Sequence, residues 1–219
     1  MRDSFADSLS FWKTSSALII VCASSLVLAG AQEDFFWAID QGNVSQAAKL
    51  LQQNVDIDLV NLEGYTALMV AAKTNNGSLA KLLLEKGANA NIRNKYRETA
   101  IMLASYQGQT DMAKLLHSHG ADIHHAGWNP LLYATTNGHV DTIRWLLDEK
   151  ADINTPSDNG TTPLMMAVRG NHIDAVQLLL SRGADVRIKN EQGENALVWA
   201  KKREYPRIVQ LLNSHGTSE

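Results

Sequence analysis

Cysteine is almost absent from the sequence, and the single residue, Cys22, lies in an apolar segment near the N-terminus. The thiolate is the nucleophile of cysteine enzymes and a ligand of structural zinc sites. Outside the N-terminal segment, the sequence therefore offers no cysteine nucleophile and no thiol pattern that could complete a metal site. If that segment is removed, the remaining chain has no thiol, which suits an oxidising compartment.

Neither sign of charge dominates the sequence. Lysine and arginine number 20 and the acidic residues 23, which gives a formal net charge of −3. No stretch combines clustered basic residues with interleaved aromatic ones, the pattern that is typical of nucleic-acid binding. Composition therefore excludes DNA or RNA as the partner.

The sequence also lacks an apolar run long enough to cross a bilayer as a stable helix. The longest run, residues 17–31, has 15 residues, whereas a crossing takes roughly 20. Basic residues precede the run, and Ala29 and Ala31 give the small-x-small pattern that signal peptidase recognises. We therefore predict that residues 1–31 are a signal peptide, cut after Ala31, and that the mature protein begins at Gln32 in the periplasm.

An uncleaved membrane anchor is the alternative for the same segment. The region before the apolar run carries Asp3 and Asp7, which are atypical of a signal peptide. If the segment is cleaved, the mature protein has no membrane contact.

Catalytic motifs are missing as well. The sequence has no G-x-S-x-G elbow, no phosphate-binding G-x-x-x-x-G-K and no H-E-x-x-H. Carboxylates such as Asp122, Asp152 and Asp185 recur because a G-A-D triplet or its variant recurs with them. The sequence therefore favours a protein that is not an enzyme and needs no cofactor.

One pattern of about 33 residues recurs along the chain, and residues 158–190 hold its clearest copy. Gly160 permits the positive φ of a tight turn, Thr162 can cap a helix through its hydroxyl, and Pro163 suits the first helical position. Apolar residues at helical spacing then predict two short helices, of which Gly183 ends the second as a left-handed cap. A unit of this size cannot bury its own apolar faces, so it must stack on copies of itself.

Three landmarks repeat in the same register. The cap residue and the three residues after it read TALM at Thr66, TAIM at Thr99, NPLL at Asn129, TPLM at Thr162 and NALV at Asn195. The alanines of the first helix are Ala71, Ala104, Ala134, Ala167 and Ala200. The residues after the second helix are Gly87, Gly120, Lys150, Gly183 and Gly216. Each set has spacings of 33, 30, 33 and 33 residues, so chance is a poor explanation.

With these landmarks the sequence resembles the ankyrin repeat family, whose pattern combines a glycine turn, T-P-L-H, a helix alanine, G-H, a leucine pair and G-A-D. The resemblance implies that residues 32–219 form one all-α domain, an ankyrin repeat solenoid of helix-turn-helix repeats with protruding β-turn fingers. The expected repeats are about residues 33–60, 61–93, 94–123, 124–156, 157–189 and 190–216. For function the resemblance implies a scaffold that binds a protein partner, and we expect it to be a monomer.

The chain departs from the family pattern at the histidine of T-P-L-H. The residues at that position are Met69, Met102, Leu132, Met165 and Val198. Hydrogen bonds that this histidine provides in the family are therefore not expected, and an apolar seam between repeats is the alternative. At the G-H position, His139 and His172 resemble the structural histidine of the family.

The first repeat is degenerate, because Phe35, Phe36 and Trp37 replace its T-P-L-H segment. An end repeat should differ from the others, since one of its faces meets water. We expect these aromatic residues to pack over the next repeat. Contact of an exposed Trp37 with a membrane surface is the alternative.

The fourth repeat has lost three residues from its finger turn. Nine residues separate Gly120 from the cap Asn129, whereas the other intervals of this kind are twelve residues long. The shortening predicts a notch halfway along the row of turns, close to His124, His125 and Trp128. Irregularity in an otherwise regular sequence often marks function, although a neutral deletion would give the same pattern.

Two positions that call for glycine hold long basic residues instead. Arg97 replaces the turn glycine of the third repeat, and Lys150 replaces the glycine that ends a helix in the fourth. Either the turn at Arg97 changes its type, or Arg97 adopts a left-handed conformation at a cost of about 1 kcal/mol.

Four of the seven histidines lie close together in the sequence, at His117, His119, His124 and His125. Neutral imidazole is a common zinc or copper ligand, so a metal-handling protein is one hypothesis, which metal titration would test. The spacing argues against a site, because His117 and His119 lie at the end of a helix and point in different directions. No carboxylate or thiol pattern completes the set, so we expect no metal.

The resemblance also indicates where a partner would bind. In the family the turn tips and the end of the first helix form a concave surface, because the leucines and alanines are used for stacking. The residues that we predict to bind the partner are Tyr65, Tyr96, Tyr106, Trp128, Glu63, Glu98 and Arg169. Aromatic residues with a polar edge are enriched among interface hot spots, although the rings could instead cover neighbouring turns.

Three functional hypotheses follow from the sequence. The first is a non-enzymatic protein-binding module in the periplasm of a Gram-negative bacterium, which the signal segment and the repeats favour. The second is a metal-handling protein that uses the histidine stretch. The third is a secreted effector that binds a host protein, which cell fractionation would distinguish from the first.

Overall fold

The computed structural model describes residues 30–216. Of the predicted signal peptide, residues 1–29 lie outside the described residues. Gly30 and Ala31 belong to a helix that continues to residue 40, and Ala31 is buried there. In the described part of the chain, no helix is long and apolar enough to cross a membrane.

Twelve helices succeed one another in pairs within residues 30–216. The first helices of the pairs are α1 (30–40), α3 (Ala67–Lys73), α5 (Ala100–Tyr106), α7 (Pro130–Thr136), α9 (Pro163–Arg169) and α11 (Ala196–Lys202). The second helices are α2 (Val44–Leu51), α4 (Gly77–Glu85), α6 (Thr110–Ser118), α8 (Val140–Asp148), α10 (Ile173–Ser181) and α12 (Pro206–Gly216). An isolated β-bridge joins Val60 to Thr66, and the described residues include no strand.

The helices stack in two layers. From α3 to α11, each first helix contacts the first helix of the next pair, and from α2 to α12 the second helices do the same. Each pair therefore contacts mainly its neighbours in sequence, which is the arrangement of a solenoid. The all-α repeat fold that the resemblance implied is confirmed.

The repeated alanines and leucines form the core in different layers of this stack. The repeated alanines of the first helices, from Ala71 to Ala200, are fully buried, and they allow the first helices to lie close together. One leucine of each second helix is buried in the same register, at Leu83, Leu116, Leu146, Leu179 and Leu212. The periodic residues of the sequence are thus the core of the fold.

The first helices begin where the sequence predicts them to begin. The hydroxyl of Thr162 accepts a hydrogen bond from the N–H of Met165 at 3.3 Å, and Thr66 caps α3 through Met69 in the same way. Asn129 replaces the threonine before α7, and its side-chain oxygen accepts bonds from two backbone N–H groups. These caps satisfy donors that the first turn of a helix leaves unpaired.

The seam between repeats is apolar where the family has a histidine. Met69, Met102, Leu132 and Met165 are all buried, whereas Val198 in the last repeat is partly exposed. The G-H position provides hydrogen bonds between repeats. His139 Nε2 bonds the carbonyl of Tyr106 at 2.8 Å, and His172 Nε2 bonds that of Thr136 at 3.0 Å.

The aromatic residues of the first repeat do not all pack inward. Phe35 is fully buried, but Trp37 is 62% exposed, so the prediction that it covers the next repeat is wrong. Side chains two positions apart on a helix point in widely different directions, and the inward direction of α1 is taken by Phe35 together with Ala38 and Ile39.

Three left-handed backbone positions recur in the repeats, one in the finger turn and one after each helix. Glycine or asparagine fills most of them, but Arg97 has a φ of 65° and Lys150 a φ of 69°. The turn at Arg97 therefore keeps its type, and the arginine accepts the left-handed conformation. Both side chains are exposed, so the strain is not offset by burial.

We expect Arg97→Gly and Lys150→Gly each to stabilise the fold by about 0.5 to 1 kcal/mol. The left-handed conformation costs about 1 to 2 kcal/mol in a residue with a Cβ, which exceeds the entropy of about 0.5 to 1 kcal/mol that glycine loses on folding. Asn171→Gly is the matched control, because asparagine tolerates its φ of 56°. Urea denaturation measures all three, and destabilisation by Arg97→Gly would contradict the assignment of strain.

Candidate functional site

The finger turns are held by a side chain at their first residue. Asn94 accepts hydrogen bonds from the backbone N–H groups of Tyr96 and Glu98, both at 2.9 Å, and Asn61 makes the equivalent bonds in the second repeat. These bonds fix the backbone of each turn tip. They therefore place Tyr96 and Glu98 on a rigid element although both lie in a loop.

The shortened turn of the fourth repeat is fastened differently. The side-chain nitrogen of Asn129 donates to the carbonyl of Gly127 at 3.2 Å and to the hydroxyl of Thr155 at 3.0 Å. Gly127 has a φ of 76°, and a Cβ there would come within 2.5 Å of the Asp158 carboxylate. The next repeat thus closes over the shortened turn, and Trp128 is held between Gly127 and the helix cap.

Four aromatic rings meet beside this turn. We call Tyr96, Tyr106, Trp128 and Tyr133 the aromatic cluster. Tyr133 is its centre, because its ring lies edge to face with Trp128 at 5.3 Å between centroids and with Tyr106 at 6.0 Å. Tyr96 is 62% exposed and Tyr106 45%, whereas Trp128 and Tyr133 are half-buried. The rings come from two finger turns and from two first helices, α5 and α7.

The aromatic cluster encloses a cavity of about 270 Å³. Its lining consists of the four rings and Thr136. The three sequence-predicted residues Tyr96, Tyr106 and Trp128 are therefore brought together around one opening. Surface cavities lined by polar-edged aromatic rings are suited to take a side chain of a partner.

A carboxylate lies directly behind the cavity. The Tyr133 hydroxyl donates to Glu98 Oε1 at 3.0 Å, and the Asn94 amide donates to Glu98 Oε2 at 2.8 Å. Burial raises the pKa of Tyr133 well above its ordinary value, and the neighbouring Glu98 carboxylate raises the pKa further. The Tyr133 phenol is thus held neutral, with its hydroxyl donating to Glu98.

Tyr65 lies near the cluster but does not line the cavity. Burial raises the pKa of its phenol, and the Glu98 carboxylate and the Tyr96 phenol add to the effect. The Lys73 ammonium lies over the Tyr65 ring, 4.7 Å from its centroid. Tyr65 thus extends the aromatic surface by one repeat, with one of its faces already in contact with a cation.

The other predicted binding residues are spread along the same row of turns. Glu63 is exposed at the tip of the second finger turn, and Arg169 is exposed in the last turn of α9. No hydrogen bond or ring contact described for the aromatic cluster includes Arg169. It therefore lies apart from the cavity, which is built by the third and fourth repeats.

Tyr133 was missed by the sequence-based prediction. It occupies the fourth position after the cap, where the other repeats have Val70, Leu103, Met166 and Trp199. Three of those four side chains are buried, so a core role was the natural interpretation. The replacement of an aliphatic side chain by one with a polar end was the only available signal.

The four clustered histidines make separate local contacts. His117 Nδ1 bonds the carbonyl of Ala121 at 3.0 Å, and His119 Nδ1 bonds that of Leu115 at the same distance. His124 is exposed, whereas the His125 side chain is largely buried. Within residues 30–216, no group of three or more histidine, cysteine or acidic side chains is arranged to hold a metal ion.

His125 is the one histidine of this stretch with an unsatisfied buried atom. Its Nε2 has no hydrogen-bond partner among the described residues, while Nδ1 lies 3.8 Å from an Asp122 carboxylate oxygen. Burial lowers the pKa of His125 below its ordinary value, and the nearby Arg93 lowers it further, against the opposing effect of Asp122. His125 is therefore neutral in the fold at neutral pH.

We expect the free energy of unfolding to fall as the pH drops below about 6.5, the ordinary pKa of histidine. Below that pH the unfolded chain binds a proton at His125 that the folded chain does not bind, until the lowered folded pKa is reached. His125→Phe should remove this part of the pH dependence, whereas His124→Phe, at an exposed position, should leave it unchanged. Urea denaturation at a series of pH values tests this, and an unchanged slope in His125→Phe would contradict it.

Larger hollows elsewhere on the molecule have a different character. One of about 700 Å³ lies between α6 and α8, with Asp111, Asp141 and Asp148 mixed with basic side chains. Another of about 690 Å³ lies at the C-terminal end, against Tyr205 and Val209 of the last repeat. Neither includes any residue of the aromatic cluster.

Comparison with known proteins identifies the repeats. The sequence profile described as "Ankyrin repeats (3 copies)" matches residues 35–126, 120–190 and 156–218, which together cover most of the chain. No curated protein matches the sequence significantly. Ankyrin repeat proteins are generally binding modules without enzymatic activity. The chain therefore belongs to the ankyrin repeat family, and its repeats indicate a protein–protein interaction module.

Proposed function

We propose that the protein is a non-enzymatic binding module of the bacterial periplasm that holds a protein partner on the face formed by its finger turns and first helices. The aromatic cluster is the centre of this surface. The observation that carries the proposal is the cavity of about 270 Å³, whose walls are four aromatic rings from two adjacent repeats. A solenoid needs no such opening in order to fold, because its core is formed by the repeated alanines and leucines.

Exposure of the rings supports a binding role over a structural one. Burying an aromatic side chain is favourable, yet Tyr96 and Tyr106 leave about half of their surface in water. The Asn94 turn and the cap at Asn129 hold the loop backbone on both sides of the cavity. Little conformational entropy would therefore be lost when a partner covers the rings.

Site-specific cross-linking in the cells that make the protein tests the proposal. A benzophenone amino acid at Tyr106 should cross-link to one partner, whereas the same group at Lys114 should not. Lys114 is the matched control, because it is exposed on α6 in the other layer of helices. Equal cross-linking at the two positions, or cross-linking at Lys114 alone, would contradict the proposed face.

Export is the second part of the proposal, and it rests on the apolar segment that ends at Ala31. We expect the native protein to begin at Gln32, so that its mass falls below the 24.1 kDa of the full chain by the mass of residues 1–31. Ala29→Tyr should leave the full-length chain uncut, because signal peptidase needs a small residue there. Intact mass after cell fractionation measures both, and a full-length species in the membrane fraction of the unaltered protein would contradict export.

A further inference from the structure

We infer that the cavity of the aromatic cluster takes one cationic side chain, a lysine or an arginine, from the protein partner. This inference rests on the proposed function, since it names what the partner places in that site. It goes beyond that function because it fixes the chemistry of the occupant. Three features of the site favour such an occupant, namely the size of the cavity, its aromatic lining and the carboxylate of Glu98 behind Tyr133.

The size of the cavity suits a single long side chain. Sites for small molecules usually enclose about 300 to 1,000 Å³, and the cavity of the aromatic cluster is smaller, at about 270 Å³. Four rings line this volume, so an occupant contacts aromatic surface. The faces of tyrosine and tryptophan rings carry negative potential and attract a cation within about 6 Å of the centroid.

Glu98 places a negative charge behind the Tyr133 ring, which lines the cavity. Its two oxygens accept bonds from Tyr133 and Asn94, which hold the carboxylate in place one phenol away from the opening. Within residues 30–216, Glu98 has no basic ion-pair partner. Because Glu98 accepts the hydrogen bond of the Tyr133 hydroxyl, it polarises the phenol and raises the electron density of the ring. This strengthens the attraction of the Tyr133 ring for a cation. A cation that enters the cavity is therefore attracted by a carboxylate that forms no ion pair within the described residues.

One ring of the cavity and the neighbouring Tyr65 ring already contact cations. The Lys95 ammonium lies 5.2 Å from the centroid of the Tyr96 ring, and the Lys73 ammonium lies over Tyr65. Lys95 does not line the cavity, so its ammonium leaves the opening free. Two tyrosine rings of this surface thus already contact a lysine ammonium, as expected where ring faces carry negative potential.

An apolar side chain fits the observations less well. A leucine or phenylalanine would contact the rings but bring no positive charge towards Glu98, which lies behind the Tyr133 phenol. A lysine or arginine contacts the same rings and adds the attraction of its charge for the rings and for the carboxylate. Charge therefore favours the cationic occupant over an apolar one of similar length.

Titration with single amino acid derivatives tests the inference. The probes are N-acetyl-lysine amide, N-acetyl-arginine amide and N-acetyl-norleucine amide, added at constant ionic strength to isotope-labelled protein purified in its native processed form. Norleucine is the matched neutral probe, because it has the aliphatic chain of lysine without the charge. The readout is the Trp128 indole resonance, assigned with Trp128→Phe. We expect the cationic probes to bind about fivefold more tightly than norleucine, since a cation–π contact contributes about 1 kcal/mol.

Two variants test whether the Glu98 carboxylate causes the preference of the cavity for a cation. Glu98→Gln keeps the shape of the side chain and removes its charge, so it should lower the affinity for lysine amide at least about threefold and leave that for norleucine amide unchanged. Glu63→Gln removes a charge from the neighbouring finger turn and should change neither affinity. Circular dichroism establishes that both variants are folded. The inference is overturned if norleucine binds as tightly as lysine, if Glu98→Gln has no effect, or if no probe shifts Trp128.

These results are separable from those that test the proposed function. Cross-linking from Tyr106 together with equal binding of the three probes would retain the protein-binding face and reject the cationic occupant. Selective binding of the cationic probes without a cross-linked partner at Tyr106 would retain the chemistry of the cavity and reject the proposed protein partner.

Discussion

Replacement of Leu179 by alanine should destabilise the protein by about 2 to 5 kcal/mol. Leu179 is fully buried in α10, in the layer of second helices, and its repeat is the clearest copy of the sequence pattern. Truncation removes apolar contacts and leaves a cavity that close-packed neighbours fill only partly. Urea denaturation followed by circular dichroism measures the effect.

Leu62 provides a matched control for the same substitution. Its side chain is fully exposed at the tip of the second finger turn, so Leu62→Ala should change the free energy of unfolding by less than about 0.5 kcal/mol. An equal effect at the two positions would contradict the core assignment, as would stabilisation by Leu179→Ala.

The position of Leu179 in the array also determines how the protein unfolds. In a solenoid each repeat contacts only its neighbours, so a weakened repeat weakens the coupling between the segments on either side. α10 contacts both α8 and α12. We therefore expect Leu179→Ala to broaden the transition, whereas a weakened end repeat would mainly fray. A lower dependence of the unfolding free energy on urea is the sign of this loss of cooperativity.

The fold could be predicted from the sequence because each repeat restates the same local rules. Thr162 before Pro163 marks a helix start, and a left-handed glycine such as Gly183 marks a helix end. Five copies in register make these weak signals decisive. Arg97 stands where the other finger turns have glycine, yet its turn keeps the same type. The repeats on either side hold this segment in register, so the arginine adopts the left-handed conformation.

The aromatic cluster could be predicted only in part, for a geometric reason. Tyr96, Tyr106 and Trp128 stand at positions that the repeat leaves variable, so their exposure followed from the register. Tyr133 stands at a position where the other repeats mostly bury an aliphatic side chain. Its bond to Glu98 crosses from one repeat to the preceding one, and the periodicity of the sequence does not show which side chains of adjacent repeats meet.

The prediction that Trp37 packs over the next repeat was wrong for a different reason. The sequence showed three adjacent aromatic residues, and the expectation treated them as one apolar block. A helix gives adjacent residues different directions, and only Phe35 points towards the core of the first repeat. Which of the three side chains is buried depends on the rotation of α1 about its own axis. The sequence pattern of a single degenerate repeat does not define that rotation.

Tyr96→Ala and Trp128→Ala are each expected to weaken binding of the protein partner by at least about 2 kcal/mol. Both rings line the cavity of the aromatic cluster, and their truncation would open two of its walls. Tyr96 is largely exposed, so its loss should cost the fold little, and the folded state can be verified by circular dichroism. Titration calorimetry with the partner found by cross-linking measures the loss.

Glu63→Ala distinguishes the contribution of the cavity to partner binding from that of the exposed surface around it. Glu63 is exposed at a turn tip, where a charge steers the approach of a partner but is not removed from water. Its removal should therefore change mainly the association rate and its salt dependence, whereas the loss of Trp128 should raise the dissociation rate, because contacts in a buried pocket break only as the complex separates. A folded double variant of Tyr96 and Trp128 that binds at full strength would place the partner on another face of the solenoid.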